Sequence, residues 1–436
     1  MFAVEWYVSG PAIIAMLLFL VGLGVPVAFS MGLSGFVSVL LFLPPSRLYN
    51  LGNIFYDRGT EFTFVVVPMF ILMAALIAQS GLAAASYTAA QRWLNRLPGS
   101  LAASSIAACT AFAAISGSSP ATAATIGLVA VPEMIKRGYS ARMATGAVAA
   151  GGTLGALIPP SVVMIIYGIV TETSIGKLFI AGIVPGLLCS ALLILYTVAW
   201  ARLVPGTAPS LGAVSWRERW SSLKPLWGVI VLFFAVMGSI YSGAATVEEA
   251  AAVGVAVAFV AALINREMSL ARLRESLLQA ARTSAMVMFL LGSGFFLSFL
   301  MASLNVPQGL AEVAVAPGVN RWVLFLGFNV ILIVLGFVME SISIMIIFMP
   351  LVFPLFVKMG FDPIWIGVVT TVNVEIGMIT PPVGLNLFVL KSVLAEQVST
   401  RDILVGGLIY TVPMLVGLAL LIAFPTLSTW LLTTME

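Results

Sequence analysis

The chain has 436 residues, of which 61% are hydrophobic and 8% charged, with a net charge of +3 and a mean hydropathy of +1.14. Soluble domains are about a quarter charged, so this composition excludes an ordinary soluble protein, and scattered Lys and Arg with no basic stripe exclude a nucleic-acid surface. Without any histidine there is no Ser-His-Asp triad, His-ligated zinc or His-bound haem, and no G-x-x-x-x-G-K-[ST] loop is present to hold ATP.

Long apolar runs take the place of the missing charges. Residues 13–25, 64–78, 178–200, 226–241, 322–338 and 403–424 are continuous and rich in Leu, Ala, Val and Ile. Alternating polarity would mark a β-barrel, so these runs are predicted to be helices. The expected plan has about eleven crossings, at roughly twenty residues per span, plus shorter re-entrant segments. The 13–25 run lacks the basic flank and small-residue cleavage site of a signal peptide and is expected to remain as a span. Residues 83–96, with Gln91, Arg92, Asn95 and Arg96, read as an amphipathic connector lying flat. Cys109 and Cys189 lie inside apolar runs and are read as buried small residues. Trp6, Tyr7, Trp216, Trp220 and Trp430 are expected at the lipid–water interface.

Charge sets the orientation. Arg202, Arg217, Arg219 and Lys224 precede the pair of spans around 226–264, and Arg266, Arg272, Arg274 and Arg282 follow it. The turn between them, 242–249, carries Glu248 and Glu249 and no basic residue. Both basic loops are therefore expected in the cytoplasm and the acidic turn outside.

An internal repeat organises the chain. Gly155, Pro159 and Pro160 recur as Gly377, Pro381 and Pro382, 222 positions further on. The same offset pairs Gly32 with Gly254, Pro132 with Pro354, Lys136 with Lys358 and Gly138 with Gly360. Only three Pro-Pro pairs occur, and two of them fall in this register. The expected domains are a first half, 1–204, a cytoplasmic linker, 205–224, and a second half, 225–436. An odd number of crossings per half would invert the second against the first, a recurring plan of secondary transporters.

Two kinds of break recur in these halves. Residues 116–122 form a polar tip between apolar arms, 101–115 and 123–131, each too short to cross alone. That is the pattern of a re-entrant hairpin, about 100–131, with a counterpart at about 321–357. The other break is the Gly-Pro-Pro element, which interrupts helices at about 140–171 and 363–393. Interruption frees carbonyls and helix ends, which suit a cation such as sodium. Glu340 and Glu375 lie in these breaks. Coordination of a cation and acceptance of loop hydrogen bonds are both open to them. Glu172, close to Lys177, reads as a solvated interface residue.

Gly117 to Thr122, Gly151 to Ser161 and Gly377 to Asn386, with Gly24 and Pro26 near the start and Glu248, Glu249 and Gly254 near the middle, closely resemble the large membrane subunit of the tripartite ATP-independent periplasmic (TRAP) transporters. The resemblance covers nearly the whole chain. It implies an all-α polytopic membrane protein: an inverted-repeat, elevator-type transporter with two re-entrant helical hairpins and two broken helices. It implies sodium-driven import of a small organic acid, such as a C4-dicarboxylate or sialic acid, across a bacterial or archaeal cytoplasmic membrane. Na+ would be the coupling ion, with no organic cofactor and no enzymatic activity. A small four-helix membrane subunit, expected as a separate polypeptide, and a periplasmic substrate-binding protein would be the partners. Carried over by position, the first sodium site would use Ser116, Gly117, Ser118, Ser119, Gly155, Pro159 and Ser161. The second would use Gly336, Glu340, Gly377, Thr380 and Val383. Pro120, Thr122, Thr153 and Asn386 would give the substrate its polar contacts. A single-component sodium/dicarboxylate symporter shares the two-hairpin plan, and an ion channel of similar build is the rival from another class.

Overall fold

In the computed structural model, residues 5–209, 212, 214–314, 320–394 and 397–433 are described. Among these residues the fold is helical throughout, without a strand. It opens with α1 (Trp6–Gly22), α2 (Val27–Phe42) and α3 (Tyr49–Thr60), which bends by 68° into α4 (Val66–Ala78). After α5 (Leu82–Leu94) come two close pairs, α6 (Ser100–Ser116) with α7 (Ser119–Lys136) and α8 (Ala141–Leu157) with α9 (Val162–Thr171). Then α10 (Ile175–Leu203) ends the first half.

Next come α11 (Trp216–Leu223), inside the expected linker, then α12 (Trp227–Tyr241) and α13 (Val247–Ile264). The chain continues through the long α14 (Leu270–Ser303) and the short α15 (Val306–Ala314). The pairs α16 (Arg321–Gly336) with α17 (Ser341–Lys358) and α18 (Pro363–Met378) with α19 (Leu385–Leu394) follow. The described chain closes with α20 (Thr400–Ala423) and α21 (Thr426–Thr433).

Burial explains why α8 and α18 sit at the centre. Every residue from 143 to 157 and from 364 to 378 is buried. A surface helix would keep one polar stripe, whereas a helix apolar all round is enclosed by its neighbours. Large apolar side chains such as Phe19, Leu41, Leu195, Phe234 and Val330 stand exposed on the outer helices. So much outward-facing apolar surface suits hydrocarbon. Tyr7, Trp216, Trp220 and Trp430 are exposed as well, whereas Cys109 and Cys189 are buried and unpaired with each other.

Two expectations change. Among the described residues, six helices are long and apolar enough to cross a membrane, or up to eight if each bent pair counts as one span, against the expected eleven or so. The remaining apolar helices are 10–17 residues long, and several are the arms of hairpins and pieces of broken helices. Apolar content alone does not separate a span from such a piece. The 205–224 stretch also contains structure of its own, because Ser215 and Glu218 form a reciprocal capping box that starts α11. This helix packs on the connector predicted at 83–96, which is α5. There Trp93 donates its indole N–H to the Arg219 carbonyl (3.2 Å), and its ring meets Trp216 and Trp220 edge-on.

Candidate functional site

The hairpin tips and helix breaks come from local chemistry. Helix α6 ends because Gly117 adopts a left-handed conformation (φ 62°), which a side chain would disfavour. Ser118 then caps α7, accepting from the Ala121 amide (3.5 Å), with Pro120 in the first turn. Helix α8 ends at Leu157, and after residues 158–161 Ser161 caps α9, accepting from the Met164 amide (3.2 Å). The same Ser161 hydroxyl donates to the Ala156 carbonyl. In the second half α16 stops at Gly336, α17 starts at Ser341, and α18 and α19 are separated by residues 379–384. Pro159–Pro160 and Pro381–Pro382 are both cis.

Each tip is fastened to the break of its own half. The Val162 amide donates to the Gly117 carbonyl (3.1 Å), and the Gly384 amide donates to the Phe337 carbonyl (3.1 Å). Val162 and Gly384 are the same position in the 222-residue register. Backbones approach closely around these bonds. A Cβ on Gly377 would lie 2.5 Å from the Gly336 Cα, and one on Gly155 would lie 2.6 Å from the Ser118 carbonyl oxygen.

The side chains differ between the halves. At the first tip Ser116 and Thr122 share a hydroxyl–hydroxyl hydrogen bond (2.6 Å), and Thr122 also donates to the Ser118 carbonyl (2.8 Å). At the second, Ser341 donates to Glu375 Oε1 (2.6 Å) and Ser343 donates to Glu340 Oε1 (3.2 Å). Thr380 donates to the Ile376 carbonyl (2.6 Å), and its hydroxyl lies 3.4 Å from that of Thr411 on α20. Asn373 donates to Asn329, tying α18 to α16. Several contacts cross between halves, among them Asn386 Nδ2, which donates to the Ser119 hydroxyl (2.7 Å) and to the Ala149 carbonyl (3.4 Å), and Ser119 also faces Glu375. Glu375 Oε2 and Asn386 Oδ1 are buried with no hydrogen-bond partner among the described residues.

The tips enclose a cavity of about 310 Å³. Residues 116–121, 162–163 and 340–342, with Glu375 and Met378, form one wall. Helices α4 and α14 form the other, through Ala74, Ala78, Gln279, Thr283 and Met286 among others. The first residues of α7, α9 and α17 (Ser119, Val162 and Ser341) all line it. Helix starts present unsatisfied N–H groups and the positive end of the dipole, so this wall suits an anion. Glu340 and Glu375 on the same wall suit a cation.

Of the expected first-site residues, Ser116, Gly117, Ser118 and Ser119 form the first tip, Gly155 lies against Ser118, and Pro159 and Ser161 lie in the break whose Pro160 and Val162 meet Gly117. The structure also brings Gly336, Gly377 and Thr380 together where the second tip meets its break. Val383 lies in that break, and Glu340 is at the tip, facing the cavity. The expected substrate contacts are less united. Pro120 lines the cavity, but Thr122, Thr153 and Asn386 are absent from its lining. Thr122 turns back to its own tip, Asn386 holds Ser119, and Thr153 donates to the Ala150 carbonyl (2.6 Å). Gln279, Thr283 and Asn329 were missed. The first two sit four apart on α14, one helical face, but within a stretch already polar at Arg274, Glu275, Ser276, Arg282 and Ser284, so the sequence carried no signal that singled them out. Glu172 is exposed, as expected.

Helix pairs joined at polar tips, interrupted helices and a mainly apolar cavity inside an apolar helical body fit a multi-pass membrane protein. Residues 14–427 match the family model described as the tripartite ATP-independent periplasmic transporter, DctM component. The C4-dicarboxylate TRAP transporter large permease protein DctM of Pseudomonas aeruginosa is 40% identical over 369 residues, covering 84% of this chain and 85% of that one. The sialic acid TRAP transporter large permease protein SiaM of Vibrio cholerae is 32% identical, covering 84% and 85%. The solved YdaH transporter of Alcanivorax borkumensis is similar in fold, with a TM-score of 0.64 at 18% identity over 89% of each chain. The chain belongs to the TRAP transporter family, as its large permease component, and is a permease rather than an enzyme.

Proposed function

We propose that this chain drives sodium-coupled import of a small organic acid, a C4-dicarboxylate, sialic acid or similar carboxylate, by an elevator motion. On this reading residues 1–204 and 225–436 are inverted halves. Their hairpins and broken helices travel as one body against α4, α14 and the other outer helices, and a small four-helix membrane subunit extends that outer frame. A periplasmic binding protein delivers the cargo.

The fastening of both tips to matched helix breaks around one cavity carries the proposal. Interrupting a helix with proline costs roughly 3 kcal/mol or more. Freed carbonyls at the ends of α8 and α18 are cation ligands in return, with the Thr380 hydroxyl beside the second set. Sodium held there leaves the starts of α7, α9 and α17 to take the carboxylate. Cation charge next to Glu340 and Glu375 would let an anion enter a wall that carries carboxylates of its own. Inward movement of a pair of sodium ions through 100 mV would supply about 4.6 kcal/mol, less the charge the cargo carries back.

Reconstitution tests this reading. Proteoliposomes holding the permease with its small membrane subunit and binding protein should accumulate the acid under an inward sodium gradient. Replacing sodium with potassium should abolish accumulation. Equal uptake by this chain alone, with no binding protein, would instead make it a single-component symporter. Flux far above carrier turnover without a gradient would make it a channel.

A further inference from the structure

The cavity wall holds two carboxylates, and among its described lining residues there is no lysine or arginine. A carboxylate cargo leaving it therefore meets no positive side chain until it reaches the mouth. Helix α14 supplies one there. Gln279 and Thr283 line the cavity, and the same two residues border an open groove together with Arg274, Glu275, Leu278 and Arg282. Residues spaced by three, four, seven and eight share one face of a helix. The i+4 row Arg274, Leu278, Arg282 and Met286 is therefore one stripe that runs from the groove into the cavity, and Gln279, Thr283 and Val287 form the row beside it.

Both guanidinium groups on this stripe belong to exposed residues, and no ion pair or hydrogen bond of either side chain occurs among the described residues. Arg272, which lies off the groove, is instead engaged by Glu267. Along the helix axis the two groove arginines are about 12 Å apart, at 1.5 Å per residue. One stands beside the mouth and the other farther out, the spacing of a path rather than of a tight bidentate site.

We propose that Arg274 and Arg282 form a cytoplasmic anion vestibule that receives the carboxylate cargo as it leaves the cavity. The proposal rests on the importer reading above, including the placement of the basic loops in the cytoplasm. Cationic groups at the mouth of a low-dielectric cleft focus their field along it and raise the local anion concentration. Their reach is about 8 Å at physiological ionic strength, so the effect weakens with salt. The vestibule offsets repulsion from Glu340 and Glu375 on the way out and, by the same interaction, favours re-entry of anions from the cytoplasmic side. Glu275 lies in the groove and opposes it. The headgroup of a net-anionic lipid could occupy the same guanidinium pair, which the test separates.

The test is exchange of labelled succinate in proteoliposomes with the complete complex, or of N-acetylneuraminate where succinate is not exchanged. With Arg274→Gln and Arg282→Gln combined, the half-saturating concentration on the cytoplasmic side should rise about tenfold. The external value should stay put. Lysine at both positions should restore most of the loss, Glu275→Gln should shift the value the opposite way, and high internal salt should erase the difference. An unchanged cytoplasmic value overturns the proposal, as does a change on the external side only. An effect that disappears in vesicles of phosphatidylcholine alone assigns the pair to lipid headgroups and overturns it too. Failure of sodium to drive uptake in the unaltered complex would strike the importer reading instead, because exchange needs no gradient.

Discussion

In the first half the hairpin tip is closed by hydroxyls alone, Ser116 bonded to Thr122 and Ser118 capping α7. In the second half the equivalent tip is closed by carboxylates, with Ser341 on Glu375 and Ser343 on Glu340. Beneath this difference lies a similar backbone bond, donated from the matched positions 162 and 384 to a carbonyl of each tip, Gly117 and Phe337. The breaks differ too, since 379–384 is two residues longer than 158–161 and leaves Pro382 exposed, whereas residues 158–161 are all buried. On the proposed reading, shared backbone with divergent side chains means that a cation cage would be built from main chain, with charge added by the second half. A cation at the first tip would meet neutral oxygens, and one at the second would meet formal negative charge nearby.

Substitutions can break or sharpen this contrast. The largest effect should come from the shared part. Gly377→Val would press side-chain atoms into the Gly336 backbone, which cannot yield as a flexible side chain would. Overpacking of this kind costs about 1–3 kcal/mol, so the thermal midpoint in detergent should fall and sodium-driven uptake should vanish. Uptake at the normal rate would mean that tip and break separate freely. Gly117→Ala should act similarly in the first half, since the added Cβ would lie 2.7 Å from the Pro160 carbonyl oxygen.

A smaller loss should follow Glu375→Leu, which strands the Ser341 hydroxyl at a cost of about 1–3 kcal/mol. Uptake should drop about 5- to 150-fold if that energy holds the tip in place. Glu375→Gln keeps an acceptor for Ser341 and should lose less. Equal losses from the two would show that charge, rather than the hydrogen bond, matters there. Smaller again is Thr380→Ala. Its expected signature is a rise of a few-fold in half-saturating sodium with expression nearly intact, and an unaltered sodium curve would count against the second site. The least effect is expected outside both tips. Arg142 pairs with Asp402 at 2.9 Å between α8 and the start of α20, but both side chains are at least 30% exposed. Such pairs contribute about 0–1 kcal/mol. Asp402→Asn should barely shift the thermal midpoint and leave uptake alone.

The tips and breaks were legible in the sequence because glycine, proline and serine act locally. A left-handed Gly117, capping Ser118 and Ser161, and paired prolines stop helices whatever surrounds them. The arms accordingly fall within a few residues of their expected limits. Side-chain direction was less legible. Thr122 and Thr153 look like polar contacts in the sequence, but an isolated hydroxyl inside an apolar helix is satisfied by its own backbone, and both turned that way. The far wall of the cavity, from α4 and α14, arises from packing between distant segments that no local pattern encodes. The same limit explains the crossing count, since an arm and a span have the same composition and differ in what they pack against.

The central claim is that cations caged at the two tip–break pairs enter together with the acid. Simultaneous uptake of 22Na+ and labelled acid by the reconstituted complex addresses it most directly. The account predicts more than one sodium ion entering per molecule of acid, with a lower ratio in Thr380→Ala. Acid accumulation with no accompanying sodium would contradict it.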